Sequence, residues 1–506
     1  MPEPTLREQL FQEVLQARQR VYAVRSATPL ERLEVEGLDV WVKREDIPPI
    51  HAYKWRGAYN CMAALTDDQR ARGVVCASAG NHAQGVAVAA VKLHCAATIF
   101  MPRPTPLMKR EAVAQHGGDR VTIELVGDTY DEASAAARQH ADDAGLVYIH
   151  PYDDLTTMGG QGTIADEVVM SGEGPFDVAY LQIGGGGMAS AVACWLKHYW
   201  PNIKIVGVEG EGQASMAAAV EHGGPVELDH LDIFCDGTAV RKAGELTYQL
   251  CSELIDEFLS VSNEQVCSAI RRFWGWRRQI VEPAGALGLA GLLSQRDKLK
   301  GKRALAVMCG ANMDFSQLAV IAAEAGIGGE IRRHIRFEME EKPGAMLALL
   351  NDALADCNIV DFQYGKTHAA NGQPVIGFDA PPEVIEQVHQ RCKASGIVYQ
   401  DITAHEDVDF RIVKYDPETF SRPYFFRYDF PERAGALHEF LELVQPHANV
   451  CYFNYAYTGE RVGRALVGLE FETDAARAAF VALMKGDEKL RHMHHDLPAE
   501  ALARML

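Results

Sequence analysis

Near the start of the chain Leu6, Leu10 and Leu15 recur near helical spacing with Arg and Glu between them, which predicts an amphipathic helix over 6–20 used for packing. Beyond residue 70 the rhythm shortens. Compact apolar runs at 73–78, 95–101, 120–126, 177–183, 203–209 and 303–309 alternate with helical stretches. Such alternation predicts an α/β fold, a parallel sheet with helices on both faces. Ligands of such sheets bind beyond the carboxyl ends of the strands, in the loops that open the next helix. Near Gly326-Ile327-Gly328-Gly329 the pattern changes again. Glu341-Lys342-Pro343-Gly344-Ala345 is echoed by Glu432-Arg433-Ala434-Gly435-Ala436, from 341 to 432, an offset of 91; the same offset relates 357–364 to 448–455 and Gly377 to Gly468. One offset shared by three blocks predicts two copies of a small α+β module. Each has a strand (331–338 or 424–430), a Gly turn, a helix, and returning strands containing Ile359 or Val450 and Gly377 or Gly468. The expected division is 1–325, 331–404 and 422–495.

With 506 residues, 48% of them hydrophobic, the chain can bury ordinary cores in about two to four domains. A formal charge of −20, from 49 basic and 69 acidic residues, repels phosphate backbones and anionic lipid. Neither nucleic acid nor membrane is an expected partner. The 11 cysteines are scattered, the closest pair being Cys61 and Cys76, with no CxxC, which suits reduced thiols. The N-terminus carries acids from Glu3 and lacks an apolar signal core, and no apolar run approaches the ~20 residues of a membrane span, so a cytoplasmic protein is expected.

Four stretches carry candidate chemistry. Val40, Trp41 and Val42 favour a strand, Pro48-Pro49 ends regular structure, and Lys54 then stands where a helix begins. A nucleophilic lysine must be desolvated or set beside other cations, and Arg44 and Arg56 are nearby candidates; read alone, Lys54 is a solvated lysine at a helix start sooner than a catalytic one. The loop Ala77-Ser78-Ala79-Gly80-Asn81-His82 lets the N–H groups of a helix start approach an anion such as a carboxylate, or is an ordinary capped turn. Gly184-Gly185-Gly186-Gly187-Met188 lies between an apolar strand and an apolar helix. Four glycines there are entropically costly unless the backbone must be bare, as for a phosphate; a tight connection is the alternative. It has neither the spacing of a dinucleotide fingerprint nor a Walker lysine. Cys309, in Cys309-Gly310-Ala311-Asn312, is either a weak partner for a heterocyclic nitrogen or a buried structural thiol. Two further features read as structural: Glu282 as a helix-start carboxylate rather than a neighbour of such a ring, and His492, His494 and His495 as an exposed polar face rather than a metal site.

Taken together these segments resemble threonine ammonia-lyases (threonine dehydratases) of the biosynthetic, isoleucine-regulated type, within the second structural class of pyridoxal-phosphate enzymes. KREDIPPIHAYKWRGA is similar to the family's Schiff-base lysine motif, ASAGNHAQG to its substrate-carboxylate and ring-hydroxyl loop, GGGGM to its phosphate loop and CGANMDF to its pyridine-nitrogen segment. The resemblance implies a fold type II catalytic region followed by two ACT-like modules, with pyridoxal 5'-phosphate as cofactor. It assigns the covalent attachment to Lys54, the ring hydroxyl to Asn81, the phosphate to Gly184, Gly185, Gly186, Gly187 and Met188, the ring nitrogen to Cys309, and the substrate to Ser78, Ala79, Gly80, Asn81 and His82. Cys309 departs from the serine usual in biosynthetic members, but a neutral thiol still leaves the nitrogen unprotonated. The implied reaction is deamination of L-threonine to 2-oxobutanoate, and of L-serine to pyruvate, in a homotetramer inhibited by isoleucine, with valine a second effector to test. A racemase of this fold would need an acid where this chain has Ala79, a β-replacement synthase would not explain the paired modules, and a sensor with an inactive lyase half would not explain the retained Lys54, Asn81 and glycine loop.

Overall fold

The computed structural model describes residues 3–502 apart from 36, 316, 329–330, 369, 404–407, 409–412, 432–434 and 457–461. It divides into two compact units, Met1–Gly328 and Gly329–Leu506.

The first unit opens with the helix Leu6–Tyr22, started by a reciprocal capping box between Thr5 and Glu8. Its buried face is Leu10, Val14, Ala17 and Val21, a true helical stripe, while Leu6 and Leu15 pack half-buried beside it. Ten strands follow: β1 (Leu30–Val35), β2 (Leu38–Arg44), β3 (Val74–Ala77), β4 (Ala97–Met101), β5 (Val121–Leu125), β6 (Val147–Tyr148), β7 (Val178–Gln182), β8 (Lys204–Gly210), β9 (Glu257–Val261) and β10 (Arg303–Met308). All six expected runs are strands, but they do not form one sheet. They divide between a six-stranded sheet, β1-β2-β10-β7-β8-β9, and a four-stranded sheet, β5-β4-β3-β6. Every pairing is parallel except β1 with β2. Buried parallel strands are uniformly apolar, so the alternation that revealed them says nothing of which pairs with which.

This order places three loops side by side. Strands β2, β10 and β7 are neighbours running the same way, so the segments after Arg44, Met308 and Gln182 leave the sheet at one end. The four-stranded sheet delivers the loop after β3 separately.

The second unit is an antiparallel sheet of eight strands: β11 (Arg332–Phe337), β12 (Asn358–Gly365), β13 (Val375–Asp379), β14 (Tyr399–Asp401), β15 (Tyr424–Pro431), β16 (Asn449–Ala456), β17 (Val462–Glu470) and β18 (His494–Asp496). Their spatial order is β14-β11-β13-β12-β16-β17-β15-β18, a palindrome of the two halves. The sequence offset survives in detail: β12 and β16, the helices Ala345–Ala353 and Ala436–Val444, and register shifts at Ile359/Asp361 and Val450/Tyr452 all differ by 91. The halves join through β12 and β16, where Gln363 faces Asn454, again equivalent positions (454 − 363 = 91), so a local two-fold axis runs between them. Gly377 and Gly468 are explained alike: a Cβ on the first would strike His334 and Asp361, on the second their counterparts Phe425 and Tyr452. The Glu432-Arg433-Ala434 half of the echo, and Gly329 of the junction, lie outside the described residues.

The histidine cluster is not an exposed face. His494 is buried on the edge strand β18, its Nε2 2.7 Å from the Tyr424 hydroxyl, and His495 bonds Asp429 at 3.0 Å. The pairing of β18 with β15 turns His494 inward, which the composition of the stretch does not reveal. The side chain of His492 lies outside the described residues.

Candidate active site

Lys54 immediately precedes the helix Trp55–Ala64. The loop that carries it is stitched to the loop after β10: Glu45 N–H donates to the Met308 carbonyl (2.8 Å), Tyr53 N–H to that of Cys309 (3.1 Å) and Ala311 N–H to that of His51 (2.8 Å). From the other side the helix Asn81–Lys92 approaches so closely that a Cβ on Gly85 would lie 3.1 Å from the Lys54 carbonyl and from Trp55 Cα. The lysine side chain reaches Gly237, whose carbonyl accepts from Nζ at 3.2 Å. Burial lowers its pKa, opposed by Glu282, Cys309 and Asp236.

The expectation that Arg44 or Arg56 activates Lys54 is overturned. Arg56 is fully buried and committed elsewhere, donating to Glu45 (2.8 and 2.9 Å) and Glu167 (2.6 and 2.9 Å). Lys43 joins this cluster, donating to Glu167 at 2.6 Å. Two cations thus balance two carboxylates, the arrangement a buried charge needs. Arg44 is occupied by Asp46 and Glu31. Positions two apart at a helix start face different ways, so Arg56 braces the segment while Lys54 points into the site.

Asn81 begins the helix Asn81–Lys92 and lies beside the Lys54 loop. Asn312 Nδ2 donates both to the Ile50 carbonyl and to Asn81 Oδ1 (2.8 Å), and Asn81 Nδ2 donates to Glu282 Oε1 at 2.8 Å. Glu282 occupies the N-cap position of the helix Pro283–Ser294 yet makes no capping bond. Its role as a helix-start carboxylate is therefore corrected: the carboxyl turns into the site, is 2% exposed, and is pushed up to about 8 by burial and by Asp236. The same Asp236 forms an ion pair with Lys109, from the helix Leu107–Gly117. Ser78 Oγ accepts from Gly80 N–H at 3.2 Å, and none of the described residues lies within 4 Å of a Cβ on Gly80. His82 turns away; Nε2 lies 2.9 Å from the Ile149 carbonyl, and burial lowers the imidazole to about 3.

The glycine run leads from β7 into the helix Gly187–Tyr199. Gly186 has φ +89, which favours glycine, and a Cβ on Gly185 would enter the Tyr152 ring. A Cβ on Gly184 would lie 2.9 Å from Thr238 Cα, so protein neighbours as well as any ligand require a bare backbone. Since the first intrahelical bond is Ser190 N–H to the Gly186 carbonyl, the preceding N–H groups have no partner within the helix and suit an anion. Met188 itself is 3% exposed and packs in the core, leaving only its backbone for such a role. Cys309 is buried, its thiol pushed up to about 12 by burial and by Glu282, and lies 3.5 Å from the Ala284 carbonyl.

A sequence profile of pyridoxal-phosphate dependent enzymes matches residues 23–310, and one of the C-terminal regulatory domain of threonine dehydratase matches 420–502. The biosynthetic L-threonine dehydratase of Burkholderia multivorans is 35% identical over 85% of this chain and 86% of its own. The chain belongs to the threonine dehydratase family of pyridoxal-phosphate-dependent enzymes. The chain is also similar to solved structures. The processed threonine deaminase isoform 2 of Solanum lycopersicum is 40% identical, with a TM-score of 0.60 over 63% of this chain and 93% of that one. A maize serine racemase is 28% identical, with a TM-score of 0.57 over 62% and 96%. The family is pyridoxal-phosphate dependent, and the site fits that cofactor on its own evidence: a desolvated lysine, a glycine-headed helix start for a phosphate, and a neutral thiol. Asp236 is the residue that sequence reasoning misses; Glu282 is weighed there for a place near the ring but read as a helix-start carboxylate, and Gly310, which makes room for its carboxylate, is what favours the inward position.

Proposed function

We propose that this chain converts L-threonine to 2-oxobutanoate and ammonia, and L-serine to pyruvate and ammonia, as a biosynthetic dehydratase under feedback inhibition by isoleucine. The observation that carries the reading is that Lys54, Cys309 and the glycine-headed helix follow three adjacent parallel strands at one end of the six-stranded sheet, and that Asn81, from the four-stranded sheet, is tied through Asn312 to the Lys54 loop. Pyridoxal phosphate, when bound there, supplies the carbonyl carbon that takes up an amine and the conjugated ring that accepts the electron pair released at Cα. Lys54 is the residue to attach it; Gly184, Gly185, Gly186, Gly187 and Met188 offer backbone N–H groups to its phosphate, Asn81 its carboxamide to the ring hydroxyl, and Cys309 its neutral thiol to the ring nitrogen. Displaced by substrate, the Lys54 amine takes the proton from Cα, for which its lowered pKa suits it. The β-hydroxyl takes up one proton, balancing the one lost from Cα, and leaves as water; a second water then releases ammonia and the 2-oxo acid. The 78–82 loop, open at Gly80, receives the substrate carboxylate on backbone N–H groups, with the Ser78 hydroxyl beside them. His82 contributes its main chain only, because its imidazole is committed to Ile149.

Racemisation needs a proton donor on the far face of Cα, and Ala79 supplies none. L-Threonine and L-serine should therefore both yield keto acid, with no D-serine formed from L-serine.

In the second unit, we assign the effector to the two ACT-like modules, whose turns at Gly344 and Gly435 have φ +82 and +84 and open helices toward a carboxylate. The turns are not equivalent: a Cβ on Gly344 would lie 2.9 Å from Gln445, whereas none of the described residues lies within 4 Å of one on Gly435. Isoleucine is the effector, valine the competitor to test, and a homotetramer in the cytoplasm the assembly. Keto-acid release from both substrates, with and without millimolar isoleucine, tests the whole reading. Isoleucine that leaves threonine saturation unmoved would reduce the second unit to an assembly element.

A further inference from the structure

The proposed chemistry uses Lys54 as its base and leaves Glu282 without a task, although this carboxyl is among the most enclosed acids of the first unit. Three segments close on it. Asn81 donates to Oε1 at 2.8 Å; a Cβ on Gly310 would collide with that same oxygen; and a Cβ on Gly237, whose carbonyl receives Lys54, would come within 3.7 Å of it. Any side chain at 310 would evict the carboxylate, so the site is shaped around it.

The polarity of the chain of hydrogen bonds is fixed from one end. The Ile50 carbonyl can only accept, so the Asn312 group facing it is the Nδ2 amide nitrogen, which also donates to Asn81 Oδ1. The Asn81 nitrogen is thereby turned toward Glu282, which must accept. We infer that Glu282 is a positioning residue: it is the terminal acceptor that holds the Asn81 carboxamide in one rotamer and one amide orientation beside Lys54. The inference rests on the assignment of Asn81 to the cofactor given above. Without an acceptor at 282, the carboxamide is held at its oxygen alone, and a buried N–H loses its partner.

The tie does not depend on the charge of Glu282. Burial and Asp236 push it up to about 8 against Lys54, the Asn81 hydrogen bond and Lys109, and Cys309, Tyr53 and Cys235 also feel its charge, so near neutral pH it is largely protonated. A carboxylic acid still accepts through its carbonyl oxygen, and so does a carboxamide. Glu282→Gln therefore preserves the tie while Glu282→Ala removes it.

The test uses full-length enzyme as Asn81→Ala, Glu282→Ala, Glu282→Gln and the Asn81→Ala/Glu282→Ala double variant. Each is titrated with pyridoxal phosphate after dialysis, following visible absorbance, and kcat and KM for L-threonine are then measured. Glu282→Ala should weaken cofactor affinity and kcat by about tenfold, Glu282→Gln should stay within about threefold of wild type, and the double variant should be within about twofold of Asn81→Ala, because the two residues act as one unit. Losses that multiply in the double variant, or a folded Glu282→Gln as impaired as Glu282→Ala, would overturn the tie alone. An Asn81→Ala variant with undiminished cofactor affinity would overturn the assignment of Asn81, and the tie with it.

Discussion

The reactivity proposed for Lys54 rests on where its side chain ends, not on which charges neighbour it in sequence. Desolvation lowers its pKa against the pull of Glu282, and the two arginines nearest in sequence brace the backbone instead. The thiol of Cys309 is held protonated by its surroundings, so it can serve a ring nitrogen only as a neutral partner. Serine offers the same, and Cys309→Ser should keep kcat within about tenfold, ~1.4 kcal/mol in the barrier; complete loss in steady-state assays would show that the sulfur has another duty. His82 gives a pH prediction. Its folded pKa of about 3 lies below the ordinary value of 6.5, so between the two the unfolded chain takes up a proton that the folded chain refuses. Stability is lost as pH falls from 6.5 toward 3, by ~1.4 kcal/mol per pH unit at most. Thermal unfolding of wild type should therefore drop more steeply across that window than that of His82→Gln, where nothing titrates; parallel curves would contradict the burial argument.

Among elements, the contact between the helices Trp55–Ala64 and Asn81–Lys92 brings the backbone at Lys54 against the helix that Asn81 begins, and Gly85 is what allows it. In Gly85→Ala the new methyl meets only backbone, at 3.1 Å from Lys54 and Trp55 atoms, so relief must come from moving a helix. Stability should fall by ~1–3 kcal/mol and kcat with it, whereas a packing cost alone would leave kcat unchanged. Calorimetry beside steady-state kinetics separates the two. The strands, the Lys54 loop and the glycine run were legible in the sequence, because apolar runs and glycine clusters are local signals. The division into two sheets was not, since strand pairing is a choice among equally apolar partners. Glu282 was misread for a related reason: a carboxylate before Pro283 looks like a cap, and only the bare Gly310 opposite it turns the side chain inward. Arg56 was misread because nearness in sequence is not nearness in direction.

At the scale of the whole chain, catalysis is assigned to Met1–Gly328 and regulation to Gly329–Leu506. Inhibition by such a regulatory unit requires isoleucine to bind the less active arrangement more tightly, and threonine must then oppose isoleucine by the same factor, a coupling on the order of 1–3 kcal/mol. A chain ending at Gly328 should keep threonine turnover and lose the isoleucine response; retained inhibition would place the effector elsewhere. The central claim is narrower, that Lys54 and pyridoxal phosphate together deaminate threonine in this site. Its most direct measurement is 2-oxobutanoate release from L-threonine by wild type and Lys54→Ala, each loaded with pyridoxal phosphate and followed by visible absorbance. Wild type should show both the absorbance of bound cofactor and turnover, and Lys54→Ala neither; a folded Lys54→Ala enzyme that still releases 2-oxobutanoate at the wild-type rate would contradict the account.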